Sequence, residues 1–215
     1  MIDPLSPEDL RAAGFIASKT FDKEKQDLGN YVLMARCIFD AAIALADLVP
    51  EKADGYRSIA MNTSFNIAAA CWPGWEDAHP DIPQAQRELA LELCKVNVAL
   101  GRDLDAPPAR RFNGYWMYGV HQMAAGDHEG ARTNFEAAAN CAELMDSDEN
   151  RLMAQGWMLA NNILQMGGNA PGDELLGVIE ELRALGDDGA FYAGQYAPAL
   201  GRLSDSREAA ARSGQ

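Results

Sequence analysis

Arg110 to Glu143 constrains the fold more than any other stretch of this chain. On both sides of Gly126-Asp127 the apolar residues recur at three-and-four spacing, so the stretch reads as two helices folded back across a tight turn. The segments on either side look like weaker variants of the same unit. Period-two alternation never holds for more than a few residues, so the class is all-α. Short connections make neighbouring helices antiparallel.

The other helices are read from their start and stop signals. Ser6-Pro7-Glu8-Asp9 starts a helix that runs to about Thr20, because serine caps, proline suits the first turn and acids favour the positive end of the dipole. A charged connector, FDKEKQD, follows. Gly29–Leu48 is the second helix, with Tyr31, Met34, Ala35, Ile38, Phe39, Ala42, Leu45 and Ala46 on one face, and Val49-Pro50 ends it. Tyr56–Cys71 is the third. The irregular stretch Trp72–Pro83 then carries two tryptophans, which fit either a lid packed back on the core or a partner surface; the area a tryptophan buries favours the lid. Gln84–Leu100 is closed by Gly101 as a cap. Helices over 108–125 and 128–145 make up the opening stretch. Three more follow, to about Met166, over Asp173–Leu185 and from Asp187 to about Leu203, the last kinked or shortened by Pro198. The total is about nine helices in a single domain over 1–203, with 204–215 as a frayed polar tail.

Helix pairs recur every ~40–50 residues. In the first helix of each pair an aromatic precedes a small residue by three: Phe15/Ser18, Phe65/Ala68, Trp116/Gly119, Trp157/Ala160 and Phe191/Gly194. Two second helices share a further pattern, Ala35-Phe39-Ala42 and Ala131-Phe135-Ala138, which puts a ring between two small residues on one face. An irregular helical bundle is the alternative to a repeat.

The opening stretch resembles a tetratricopeptide repeat through Gly119, Gly126, Ala131, Phe135 and Ala138, with Tyr115 in the usual tryptophan slot and Tyr118 in the leucine slot. It departs from that family at Gln122 and Glu143, and the helix-pair spacing exceeds the family's ~34 residues. The resemblance implies TPR-like antiparallel helix pairs stacked as a short right-handed superhelix, with first helices lining a concave face that binds protein segments. Here that face would draw on Asn113, Trp116, Val120 and Met123, then Trp157, Asn161 and Leu164. Trp116 and Trp157 fit a core role as well as a groove role. If Tyr115 faces its partner helix, Trp116 turns ~100° away, toward the groove.

Charge and composition narrow the chemistry. A net charge of −14 opposes nucleic acid or an anionic lipid surface as partner. No apolar run approaches the ~20 residues of a membrane span, and the N-terminus lacks a basic-then-apolar leader, so a cytoplasmic location is expected. Cys37, Cys71, Cys94 and Cys141 are far apart in sequence and sit in apolar surroundings, as buried thiols do. Glu76 and His79 have the spacing of a di-iron ligand pair but lie in a proline-flanked loop without a second copy, and Asp127-His128-Glu129 serves a helix start. No nucleotide-binding or nucleophile motif is present, so no metal and no cofactor is expected. The leading expectation is a non-enzymatic protein-protein interaction scaffold with an aromatic groove and a basic-flanked partner. The alternative is a helical small-molecule-binding protein or enzyme with a pocket near Tyr115, Trp116, Tyr118 and His121, and a homodimer is a third possibility.

Overall fold

The computed structural model describes residues 5–21, 27–75, 78 and 82–213. The described chain is all-α, as the periodicity implies, with helices packed in adjacent pairs. The residues cluster into two compact units rather than one domain over 1–203. Unit 1 comprises Met1–Cys71 and His79–Ala106, and unit 2 comprises Trp72–Ala78 and Pro107–Gln215. A single-domain reading follows naturally from uniform helical periodicity, which carries no mark of where packing changes partners.

Unit 1 holds α1 (Pro7–Phe21), α2 (Leu28–Leu48), α3 (Ala53–Ala70) and α4 (Gln84–Asp103), with a 3-10 turn at Pro50–Lys52. Ser6 starts α1 as expected. Its hydroxyl accepts from the Asp9 backbone N–H at 3.2 Å while the Ser6 N–H donates back to the Asp9 carboxylate at 3.0 Å. The Ser6 hydroxyl, which donates to the same carboxylate at 2.7 Å, and then the Ser6 N–H hold the Asp9 carboxyl below its usual range. Asp27 caps α2 through the Asn30 N–H. Ala35, Phe39 and Ala42 of α2 are all buried, as their spacing predicts. Gly101 does not end α4. It lies inside the helix, which closes two residues later and turns at Asp105 in the left-handed region (φ 44°). Asn97 ties α4 to α3 by donating to the Met61 carbonyl at 2.6 Å.

Cys71 and Cys94 are buried in unit 1, whereas Cys37 is exposed. Burial pushes the Cys71 thiol up to about 12 and also raises that of Cys94. An unfolded thiol titrates near ~8.5. Above that pH the unfolded chain sheds protons that the folded chain keeps, so stability is full below ~8.5 and falls as pH rises. The unfolding free energy measured in urea should therefore drop steadily from about pH 8.5 toward about pH 11, by up to ~1.4 kcal/mol per pH unit for each thiol. In the same samples a thiol reagent should modify Cys37 at once and the three buried thiols, Cys71, Cys94 and Cys141, on unfolding.

Unit 2 holds α5 (Pro108–Ala124), α6 (His128–Leu144), α7 (Asp148–Gln165), α8 (Asp173–Ala184), α9 (Asp187–Ala193) and α10 (Tyr196–Ser213). Each of α5 to α8 packs on the next, and α10 returns to α7. The α5–α6 turn forms as its sequence dictates. Gly126 takes φ 81°, which favours glycine, and Asp127 caps α6 through the Gly130 N–H at 3.0 Å. Ala131, Phe135 and Ala138 are fully buried. Gly119 lets the Phe135 ring lie directly on the α5 backbone: a Cβ there would stand 2.5 Å from Cε1. The expected ninth helix is divided in two. Pro198 sits in the first turn of α10, where a missing N–H costs nothing, so it begins a helix rather than kinking one. Residues 204–213 continue α10, which corrects the reading of a frayed tail from 204 onward. The strong helix formers Arg207, Glu208 and Ala209–Ala211 carry the helix past the last large core residue, Leu203.

Candidate functional site

The groove expected on the inner faces of α5 and α7 is occupied by the protein's own chain. Trp72 folds onto those helices from the irregular segment and is 1% exposed. Its ring lies edge-on to His121 at 5.6 Å and to Trp157 at 6.1 Å. Trp75 lies edge-on to Trp116 at 6.1 Å. Trp157 also stacks on Phe135 at 6.4 Å and meets Tyr196 of α10 at 5.0 Å. Gly74 makes the turn possible, because a Cβ there would collide with the Trp72 indole. The lid reading of these tryptophans therefore describes Trp72, and Trp75 is half-buried.

This overturns the site expected from spacing. Of its seven residues, Asn113 is exposed, while Trp116, Val120, Met123, Trp157, Asn161 and Leu164 are buried. They cannot form an open surface, because the Trp72 segment and the neighbouring helices fill the space before them. Asn161 has a structural task instead. It donates to the His128 carbonyl at 2.9 Å and faces His128 Nδ1 with its side-chain oxygen at 2.8 Å, pinning α6 to α7. With Nδ2 committed to the carbonyl, the amide oxygen must accept, so His128 Nδ1 carries the proton. The second expected pocket loses its room in the same way. His121 and Trp116 lie beneath the two tryptophans, and Tyr115 and Tyr118 are half-buried beside them. Gln122, a departure from the repeat pattern, donates to Asp127 at 2.8 Å and accepts from Asn134 at 2.6 Å, bracing the α5–α6 turn.

Unit 1 carries an opening that sequence reasoning missed. A cleft of ≈ 240 Å³ lies between α1, α2 and α3. Its apolar lining comes from Leu10, Phe15, Ala35, Ile38 and Ile59. Arg11, Ser18, Tyr31, Asn62, Thr63 and Asn66 supply polar groups. Among the described residues Arg11 is the one charged side chain in that lining. Phe15 and Ile16, each 63% exposed, extend the apolar surface on α1. Among the described residues no histidine, cysteine or carboxylate lines the cleft, so the described lining offers hydrogen bonds, one cation and apolar contact. One signal was available in the sequence: Phe15, Ile16, Lys19 and Ala12 share a face of α1 that buries nothing, opposite Leu10 and Ala17.

Among the described residues no group of three or more His, Cys, Asp or Glu side chains is placed to hold a metal, and no helix is long and apolar enough to cross a membrane. Glu76 and His79 lie outside the described residues. No family model, no curated protein and no solved structure matches the chain.

Proposed function

We propose that the chain is a non-enzymatic, TPR-like interaction module that holds a protein segment on unit 1, at the cleft between α1, α2 and α3. The cleft's size carries this reading. At ≈ 240 Å³ it exceeds the ~150 Å³ that admits a benzene ring and falls short of the ~300–1,000 Å³ of pockets that enclose a drug-sized ligand. It suits one large side chain with a polar neighbour, and the exposed Phe15 and Ile16 beside it give the rest of a segment an apolar face to lie on. Basic residues flanking the anchor would meet the acidic surface of a cytoplasmic module and speed encounter.

A random peptide library displayed on phage and panned on the immobilised full chain tests it. Enriched peptides should lose binding to Phe15→Asp, a change at an exposed position that leaves the melting temperature in place. Peptides that ignore Phe15→Asp would move the site elsewhere. A chain that light scattering shows to be a dimer, and that the same substitution turns into a monomer, would make this face a self-interface instead.

A further inference from the structure

We infer that the cleft recognises a segment in which an apolar anchor residue is followed closely by an aspartate or glutamate, with Arg11 holding that carboxylate. The inference rests on the segment-binding reading and adds the chemistry of the segment. Three observations lead to it.

The first is Gly14. It lies in the middle of α1, where glycine costs ~0.5–1 kcal/mol relative to alanine. Two helical glycines of this protein stand under a neighbour, Gly119 under Phe135 and Gly156 under Tyr196, whereas Gly177 and Gly201 have open space around them. Gly14 stands under nothing, since a Cβ there would find no atom within 4 Å, and the residue lines the cleft. Its missing side chain serves no packing within the chain and leaves the cleft open.

The second is the arrangement of polar groups. Arg11 is one turn before Gly14 and Phe15 on α1, and Asn62 and Asn66 are one turn apart on the facing helix α3. All three are exposed, so they form the wet rim of a cleft whose deeper lining, Leu10, Ala35, Ile38 and Ile59, is buried and apolar. An anchor side chain fills the apolar floor. The rim amides can donate to and accept from the peptide backbone around that anchor. The guanidinium has five N–H donors and no acceptor, so its natural partner is a carboxylate.

The third is that among the described residues the charge is uncommitted. Among the described residues no carboxylate pairs with Arg11, although Arg36, Arg57, Arg132 and Arg151 each pair within their own helix. Among the described residues no acid lines the cleft. Screening limits the reach of the chain's more distant acids to ~8–10 Å, so Arg11 on the rim acts locally.

The test is the phage panning repeated with a C-terminally amidated library, so that Asp and Glu are the peptides' only carboxylates, followed by affinity measurements on synthetic peptides. Selected peptides should place Asp or Glu within two residues of an aromatic or branched apolar residue. Changing that acid to its amide should weaken binding about tenfold. Arg11→Gln should weaken the acidic peptide to a similar degree and leave the amide peptide unchanged. Gly14→Leu should abolish binding of both while holding or raising the melting temperature, and Ser18→Leu serves as the second blocking variant. If the peptides bind and are blocked by Gly14→Leu but tolerate loss of the acid, the carboxylate inference fails and the segment reading stands. If neither blocking variant affects any selected peptide, the segment reading fails and the inference with it. Binding through a free C-terminal carboxylate, or of a medium-chain monocarboxylate alone, in place of internal acids also overturns it.

Discussion

Trp72→Ala is expected to destabilise unit 2 by about 3–5 kcal/mol, the cost of removing a large aromatic from a packed core. The residue lies in an irregular segment, where substitutions usually cost little. Its surroundings decide otherwise. Trp72 is 1% exposed and contacts His121 and Trp157, and Trp157 in turn bridges Phe135 of α6 and Tyr196 of α10. Removing the indole leaves a void against α5 and α7 that a proline-glycine turn cannot collapse to fill. Global stabilities lie at ~5–15 kcal/mol, so the loss is a large fraction of what holds the unit together. The measurement is urea unfolding followed by near-UV circular dichroism. A midpoint within error of wild type would show that Trp72 is a surface lid.

The second large effect belongs to Gly119→Ala. Alanine is normally the better helix former by ~1 kcal/mol, so propensity alone predicts a gain. Packing reverses the sign, because the new methyl group would stand 2.5 Å from the Phe135 ring, which is itself fully buried. Either the ring leaves its rotamer or α5 and α6 move apart, at a net cost of about 1–3 kcal/mol. Trimming the ring tests the cause. Phe135→Leu alone leaves a cavity, whereas Gly119→Ala combined with Phe135→Leu should cost less than the sum of the two single changes. Additive costs would mean that the glycine and the ring are not in steric contact.

These two residues mark what could be read from the chain. Gly119, Phe135 and the alanines around them declare themselves, because helix spacing puts them on one face and a neighbour in sequence supplies the opposing face. The same logic placed most helices and the α5–α6 turn. Trp72 does not declare itself, because its partners are at positions 121 and 157 and no periodicity spans a non-helical segment. That one insertion decided the fate of the expected site. Helical spacing puts Trp116, Val120 and Met123 on one face and says nothing of what covers that face. The cleft on unit 1 was hidden for a related reason. Arg11, Tyr31, Asn62 and Asn66 come from three helices and follow no common spacing, so they acquire meaning once α1, α2 and α3 are packed.

The membership of Trp72–Ala78 in unit 2 has a practical consequence for dissecting the protein. The chain enters unit 2 for that short stretch, returns to unit 1 for α4, and comes back at Pro107. No single cut therefore yields either half intact. A fragment starting at Pro107 would contain Trp157 and His121 stripped of the indole that covers them, presenting a sticky aromatic surface and inviting aggregation. A recombinant version of that half needs the tryptophan turn grafted back, and a fragment ending at Cys71 lacks the fourth helix of the other half. Truncation mapping, the usual route to a minimal binding region, would misreport on this protein unless each boundary respected that double crossing.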